Sequence, residues 1–487
     1  MLVIISDLHL TDGTTGATLE PGAMDLFAER LADLAWRASW RAGGSYQPIE
    51  RLDLVLLGDV LDIVHSQKWL ESDLRPWSDL QSPAGSDVVS QITDGILRHN
   101  AQSVRTLRSL ATESVITVPQ ANAAGEPALD AMELPVAVRT HYMVGNHDWP
   151  LHLAGPQYDV LRHKVAHHLG LANQHNRPFP HDASESEELH DALRSHRVLA
   201  RHGDIHDPLA FSDDRNVSSL SDVIAIELVG RFIAHLETDL ADELPAAAIS
   251  ALKEIDQVRP MLLIPAWMEN LLERTVPQLS LRIALKRTWD GLVEQMLALY
   301  VVRERNTWSP IDLIDGLSAA LKFSRRDSSD WTGKTLSFLA SLRGAKSESY
   351  LPHALAEADF RNRRARHIVY GHTHAQETIS LDASHADGYV LHQTYFNAGT
   401  WRRTYQPTKA LSQQEFSACD TISLLAFYQA DERSGRAYET WSGTLAPSMA
   451  ELGIQVPAPA AKAVATSGHG LRAPHFSQAG SRTTRRV

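Results

Sequence analysis

Two histidines stand one residue apart behind a glycine in the stretch Tyr370-Gly-His-Thr-His374. The run before them, which starts at His367, is mostly apolar and β-prone, so it predicts a strand that ends at this turn. Neutral imidazole is the commonest nitrogen ligand for metal ions. A Gly-His-x-His stretch alone is more often a plain surface turn, so its meaning depends on the rest of the chain.

Four other short apolar runs end in residues that could bind a metal. They are Leu2 to Ile5 before Asp7 and His9, Leu54 to Leu57 before Asp59, Tyr142 to Val144 before Asn146, and Arg197 to Ala200 before His202. Continuous apolar runs of this length are typical of strands buried on both faces. Open α/β sheets bind their ligands just beyond the carboxyl ends of such strands. The pattern therefore predicts an α/β fold with one functional site at the strand ends.

The side chains collected in this way are two carboxylates, one amide and four imidazoles: Asp7, His9, Asp59, Asn146, His202, His372 and His374. One tetrahedral ion takes about four ligands, so this set is too large for a single site. A shared carboxylate would give two ions four ligands each and hold them ~3.5–4 Å apart, as in two-metal hydrolytic sites. Oxygen and nitrogen ligands without sulfur suit Mn²⁺, the expected ion, with Fe or Zn²⁺ as alternatives.

The five motifs, in this order, resemble the signature of the calcineurin-like metallophosphoesterase superfamily. They read Asp7-Leu-His9, Gly58-Asp59, Gly145-Asn-His-Asp148, a strand-end His202, and Gly371-His-Thr-His374. The resemblance covers residues 1 to about 204 and 367 to about 445, and it extends neither to the segment between them nor to the end of the chain.

The resemblance implies an α/β/β/α sandwich with two divalent metal ions. It implies that Asp7, His9, Asp59 and His374 bind one ion. It implies that Asp59, Asn146, His202 and His372 bind the other. It further implies that His147 faces the leaving group as general acid and that Asp148 orients His147.

These implications predict a phosphoester hydrolase in which the metals polarise the phosphoryl oxygens and lower the pKa of bound water toward ~7, which supplies hydroxide. The substrate class stays open among phosphoproteins, nucleotides, nucleic acids and phospholipid precursors. His202-Gly-Asp204 resembles the branch that cleaves a UDP-linked lipid A precursor, so a pyrophosphatase is one alternative. A non-catalytic interaction module on the same fold is another, although none of the expected ligands is missing.

The sequence predicts four segments: a core in two parts, 1–204 and 367–450, a mostly helical insert, 205–366, and a disordered basic tail, 451–487. Apolar residues at helical spacing, such as Val223, Leu228 and Phe232, support the insert. Its expected role is a lid over the metals, with an interface or a packing role as alternatives. From Val456 onward, Ala, Pro, Ser and Gly dominate and no residue is acidic.

The composition of the chain limits which other classes of protein it could belong to. The 487 residues carry a net charge of −13, which argues against a nucleic-acid binder, although Arg361 to Arg366 form a local basic run. The single cysteine, Cys419, excludes an internal disulfide and a thiolate metal site. We also expect a cytoplasmic protein without a membrane span, because no signal segment is visible and the apolar run from Met261 is cut by Pro265. The oligomeric state stays open.

Overall fold

The computed structural model describes residues 1–211, 213–305, 313–325, 334–335, 337–338, 349–386, 389–408 and 416–444. The tail predicted at 451–487 lies outside these ranges, and so do parts of the insert predicted at 205–366. Over the described residues the chain is a mixed α/β structure.

Each of the five apolar runs that precede predicted ligands forms or overlaps a strand. The strands are β1 (Leu2–Ile5), β2 (Arg51–Leu57), β3 (Thr117–Val118), β4 (Gln120–Ala121), β5 (Pro127–Ala128), β6 (Leu134–Pro135), β7 (Ala137–Met143), β8 (Val198–Ala200), β9 (His367–Tyr370), β10 (Glu377–Ala386), β11 (Tyr389–Asn397), β12 (Thr404–Pro407), β13 (Phe416–Cys419), β14 (Thr421–Phe427) and β15 (Tyr438–Thr444). The five runs correspond to β1, β2, β7, β8 and β9, so the strand predictions are confirmed.

Two larger sheets carry the ends of these strands. The first has the order β15-β14-β1-β2-β7, in which β1, β2 and β7 run parallel and β14 pairs antiparallel with both β1 and β15. The second has the order β10-β11-β9-β8, in which β8, β9 and β11 run parallel. The carboxyl ends of β1, β2 and β7 therefore share one edge of their sheet, and those of β8, β9 and β11 share one edge of theirs.

Side chains alternate between the two faces of the first sheet, as the pleat of a strand requires. Val3 and Ile5 of β1 pack in a cluster with Phe27 and Leu31 of the helix that follows. Their neighbours in sequence lie on the opposite face, in a second cluster that includes residues of the other sheet. That cluster contains Leu2, Ile4, Val55, Leu57, Val198, Ala200, Val369 and Phe396. The two sheets therefore pack face to face, with helices on the outer face of the first.

The helices of the described residues are α1 (Ala23–Ala38), α2 (Pro83–His99), α3 (Ala101–Thr112), α4 (Pro156–Leu169), α5 (Glu187–Ser195), α6 (Leu220–Val223), α7 (Arg231–Thr238), α8 (Ala246–Leu252), α9 (Ile264–Thr275), α10 (Leu279–Ala298), α11 (Tyr300–Glu304), α12 (Leu313–Leu321), α13 (Leu351–Ala356), α14 (Ala358–Arg361) and α15 (Glu432–Gly435). A π-helical segment, Ile224–Gly230, joins α6 to α7. Where it is described, the insert is mostly helical, as predicted. None of the helices in the described ranges has both the length and the apolar character needed to cross a bilayer.

The insert has its own buried cluster and also contacts the core. Phe232, Trp267 and Trp289 are among the buried residues of that cluster, and the indole of Trp289 donates a hydrogen bond to the carbonyl of Leu321 at 2.8 Å. The segment between α8 and α9 reaches the core, where Val258 forms a parallel bridge with Tyr405 of β12. The insert therefore lies against the chain that follows β11.

Candidate metal centre

All seven predicted ligands lie just beyond the carboxyl ends of parallel strands. Asp7 and His9 follow β1, Asp59 follows β2, Asn146 follows β7, His202 follows β8, and His372 and His374 follow β9. Because the two sheets pack face to face, ligands from both of them meet in one region. The structure thus brings together residues that are up to 367 positions apart in the sequence, from Asp7 to His374.

The backbone is strained where these side chains turn inward. Five of the seven residues have positive φ angles: Asp7 (56°), His9 (45°), Asp59 (51°), His372 (67°) and His374 (59°). A non-glycine residue in this left-handed region costs on the order of 1–3 kcal/mol, and such residues cluster at functional sites. Five such residues around one centre indicate that the positions of their side chains are kept at the cost of backbone strain.

Two glycines allow the side chains to approach so closely. A methyl group on Gly145 would lie 2.6 Å from Cδ2 of His202 and would also collide with the carboxylate of Asp59. A methyl group on Gly371 would lie 2.7 Å from Oδ2 of Asp7. Real Cβ atoms do not come this near, so any side chain at either position would push a ligand out of place.

The first cluster consists of Asp7, His9 and His374, whose ligand atoms all lie within 4.8 Å of one another. Nε2 of His374 is 3.2 Å from Oδ1 of Asp7 and 3.1 Å from Nε2 of His9. His9 uses its other nitrogen, Nδ1, to donate to Asp62 at 2.8 Å, so Nε2 is the nitrogen left to bind a metal. This Nε2 lies near a second imidazole nitrogen and a carboxylate oxygen, an arrangement that a shared cation stabilises.

The second cluster consists of Asp59, His202 and His372, again with ligand atoms within 4.8 Å of one another. Nδ1 of His202 donates to the carbonyl of Leu57 at 2.9 Å. This bond leaves Nε2 as the free ligand atom, 3.1 Å from Oδ2 of Asp59. Metal-binding histidines commonly have their second nitrogen fixed in this way.

Asp59 lies between the two clusters. Its Oδ1 accepts the backbone N–H of His147 at 2.8 Å, which fixes the carboxylate. Its Oδ2 is 3.7 Å from Nε2 of His9 and 3.1 Å from Nε2 of His202. One oxygen therefore faces a histidine of each cluster, as the predicted bridging ligand would.

Unpartnered polar atoms test whether this set fits metal ions. Oδ1 of Asp7, Oδ1 of Asn146 and Nε2 of His202 are buried and have no hydrogen-bond partner among the described residues. Buried polar groups are normally satisfied, because an unmade hydrogen bond costs about 1–3 kcal/mol. These three atoms belong to predicted ligands. The two oxygens offer lone pairs, whereas Nε2 of His202, whose pKa Asp59 and Asp7 raise against the effect of burial, would release a proton on binding a metal. The residues therefore fit two divalent ions with oxygen and nitrogen ligands.

Asp62 is a site residue that the sequence analysis missed. Its fully buried carboxylate accepts hydrogen bonds from three imidazoles: His9 Nδ1 at 2.8 Å, His147 Nδ1 at 2.9 Å and His65 Nδ1 at 3.0 Å. It stands three residues after Asp59, and that spacing is the only signal in the sequence that could have found it.

The prediction that Asp148 orients His147 is wrong, because the His147 ring is hydrogen-bonded to Asp62. The carboxylate of Asp148 instead accepts the backbone N–H groups of Val60 at 2.9 Å and Gly145 at 2.6 Å, and the hydroxyl of Tyr142 at 2.6 Å. Those bonds hold the turn that carries Asn146 and His147. Asp148 therefore shapes the loop, and Asp62 orients the His147 ring.

The histidines and carboxylates of the centre shift one another's pKa values against the effect of burial. Burial alone would raise the pKa of Asp7, but His202, His374 and His9 hold that pKa well below its usual value. Burial alone would lower the pKa of His147, but the carboxylates of Asp62 and Asp59 raise it to about 9. Burial and the charge of Asp59 raise the pKa of Asp148 to about 7. At neutral pH the carboxylate of Asp7 is therefore ionised and His147 is protonated, whereas Asp148 is about half protonated.

A crevice opens beside Asn146, on the side of the second cluster. Its walls include Gly145, Trp149, His181, Asp204 and Arg215. The guanidinium of Arg215 contacts Nδ1 of His181 at 2.6 Å. Nearby, Nε2 of His372 is 3.3 Å from Oδ2 of Asp207, another residue that the sequence analysis did not include.

No protein-family model matches this chain, and no curated protein matches it either. The ordered motifs and the geometry of this centre are therefore the features that point to a function.

Proposed function

We propose that this chain is a metal-dependent hydrolase of phosphate esters, built on the sandwich of the calcineurin-like metallophosphoesterases. The observation that carries the proposal is the position of Asp59, whose Oδ2 faces His9 on one side and His202 on the other. Unpartnered, buried ligand atoms on Asp7, Asn146 and His202 support the same conclusion. The face-to-face packing of the two sheets is compatible with that sandwich.

Asp7, His9, Asp59 and His374 would hold one ion. Asp59, Asn146, His202 and His372 would hold the other. Mn²⁺ is the expected ion, with Fe or Zn²⁺ as alternatives, because the donors are oxygen and nitrogen. When bound, such ions polarise phosphoryl oxygens and make a water molecule acidic near neutral pH.

His147 would protonate the departing oxygen. Its Nδ1 is held by Asp62 at 2.9 Å, while its Nε2 lies 4.0 Å from Oδ2 of Asp59 and so faces the centre. The charges of Asp62 and Asp59 outweigh the effect of burial and raise the pKa of His147 to about 9. The ring therefore carries a proton at neutral pH, as a general acid requires.

The test is a screen of phosphate monoesters and diesters with the purified full chain in the presence of Mn²⁺. The expected result is two equivalents of bound metal and turnover of at least one ester class, both lost in the variant Asp59→Asn. The exposed Glu29, on α1, supplies a matched control, Glu29→Gln, that should change neither. Two bound ions without turnover of any phosphoester would favour the non-catalytic interaction module and contradict the proposal.

A further inference from the structure

Arg402 is a buried cation beside the candidate metal centre. It follows β11 in a segment that is fixed to the first ligand, because Thr400 Oγ1 donates to the carbonyl of Asp7 at 2.8 Å and the N–H of Trp401 contacts the same carbonyl at 3.3 Å. Its backbone N–H donates to Oγ1 of Thr400 at 3.2 Å. Its side chain is only 2 % exposed.

The guanidinium of Arg402 is only partly satisfied. Nη2 donates to Oδ2 of Asp256 at 2.5 Å, and Nη1 is 3.9 Å from Oδ2 of Asp62. Nε and Nη1 have no hydrogen-bond partner among the described residues, although a guanidinium has three N–H groups on these two atoms. Buried charged donors without acceptors are costly, so this geometry suits an anionic ligand that accepts from them.

A second arginine, Arg259 of the insert, contacts the same residue, Asp256. Its Nη1 donates to the carbonyls of Asp256 at 2.6 Å and Val258 at 3.1 Å, and its backbone N–H donates to Tyr405 at 2.9 Å. Burial, and after it the charge of Arg402, lower the pKa of Arg259 to about 10.

Among the described residues, the two arginines have one hydrogen-bonded carboxylate between them, that of Asp256. Asp256 is the carboxylate hydrogen-bonded to Arg402, whereas Asp62 is already shared by His9, His65 and His147. Planar guanidinium groups bind phosphate oxygens through two parallel hydrogen bonds, which a lysine cannot do. The position fits a ligand that carries two negative charges better than a ligand that carries one.

We propose that Arg402, supported by Arg259 of the insert, binds the phosphoryl oxygens of the substrate and selects phosphate monoesters, which are dianions, over monoanionic diesters. This inference rests on the proposed function for the reaction but predicts anion binding by itself. It also gives the insert a direct part in the site, since Asp256 and Arg259 both belong to it.

The experiment measures the binding of inorganic phosphate by calorimetry, to the full chain with Mn²⁺ and to the metal-free chain. Arg402→Ala should weaken phosphate binding on the order of 10- to 100-fold, the range of charge-assisted hydrogen bonds. Arg403→Ala is the matched control, because the neighbouring Arg403 side chain is 42 % exposed and pairs with Asp420 and Glu254. That control should leave phosphate affinity within about twofold of the parent chain.

Arg402→Lys keeps the charge beside Asp256 and guards against a variant that fails to fold. It should fold and should still lose most of the phosphate affinity, because the ammonium lacks the planar fork. With esters, Arg402→Ala should lower kcat/KM for phenyl phosphate at least tenfold more than for a methyl phenyl diester.

The outcomes separate this inference from the proposed function. Folded Arg402 variants that bind phosphate as the parent chain does would overturn the inference, even if the parent chain hydrolyses esters. A lowered melting temperature with unchanged phosphate affinity would also overturn it and would make Arg402 a structural tether to Asp256. Phosphate binding that depends on Arg402 in a chain that hydrolyses no ester would support the anion site while contradicting the proposed function.

Discussion

Replacing Asp62 by Asn is the sharpest perturbation of the centre, because it removes no predicted ligand. The carboxylate accepts from His9, His65 and His147 at 2.8 to 3.0 Å. A carboxamide offers one oxygen and one NH₂ group, so at least one of these imidazoles would face a donor in place of an acceptor. The change therefore loses at least one hydrogen bond to a charged acceptor, worth about 1.5–3 kcal/mol.

Two effects should follow from this loss. Metal affinity should fall roughly 10- to 100-fold, because Asp62 fixes the His9 ring and outer partners of metal ligands usually matter by that amount. At saturating metal, the rate should still fall on the order of 10²–10⁴-fold, because His147 loses both its orientation and the charge of Asp62 that raises its pKa. The second loss should be largest for esters with poor, alkoxide-like leaving groups and small for nitrophenyl esters.

The assay combines metal titration with rates across a leaving-group series. Asp148→Asn is the matched comparison. The Asp148 carboxylate accepts hydrogen bonds from Val60, Gly145 and Tyr142 and not from the His147 ring. That variant should lose stability, by about 1–3 kcal/mol, and keep the leaving-group dependence of the parent chain. If Asp62→Asn kept the parent chain's dependence of rate on the leaving group while Asp148→Asn changed it, the roles assigned to Asp62 and Asp148 would be refuted.

Three further predictions follow from the same structure. Asp59→Asn should release both ions together, which metal analysis checks, and one ion retained at full occupancy would contradict the bridging role. Gly145→Ala should lose metal without losing a ligand, because its methyl group would lie 2.6 Å from Cδ2 of His202; unchanged metal content would show that the loop can move aside. His367 is buried and has a pKa lowered to about 3, by burial and by Arg366 and Arg197. As the pH falls, His367 is protonated in the unfolded chain, where its pKa is near ~6.5, before it is protonated in the folded chain. The free energy of unfolding should therefore decrease below pH 6.5, by up to about 1.4 kcal/mol per pH unit. Urea unfolding from pH 7 to 5 should show this slope in the parent chain and a shallower one in His367→Leu, and parallel slopes would contradict it.

The strands and predicted ligands were readable from the sequence because both depend on short-range patterns. An apolar run such as Leu54 to Leu57 predicts a buried strand, and a polar residue at its end lies at the edge of the sheet whatever the rest of the chain does. The helical character of the insert was readable from its apolar spacing for a similar reason. The long hairpin of β10 and β11 was not predicted, although the sequence has Asp387-Gly388, a pair that favours hairpin turns, between the two strands.

The partners of these ligands were not readable, because their positions depend on tertiary packing. Asp62 and Asp148 stand in similar turns after neighbouring strands, and only the packed structure shows which of them reaches the His147 ring. Arg402 and Asp256 are 146 residues apart and belong to different predicted segments. Each is an ordinary charged residue in the sequence, and nothing in its immediate neighbours indicates that it is buried.

The contacts of the insert favour a fixed wall over a hinged lid at the point where it meets the centre. Val258 bridges Tyr405, the N–H of Arg259 donates to Tyr405 at 2.9 Å, and Asp256 holds the guanidinium of Arg402. Opening this part of the insert would break the ion pair of Asp256 and Arg402 together with the contacts to Tyr405. A segment that opened in every catalytic cycle would have to break and remake all of them. The part of the insert around Arg259 is therefore best understood as a fixed side of the candidate metal centre.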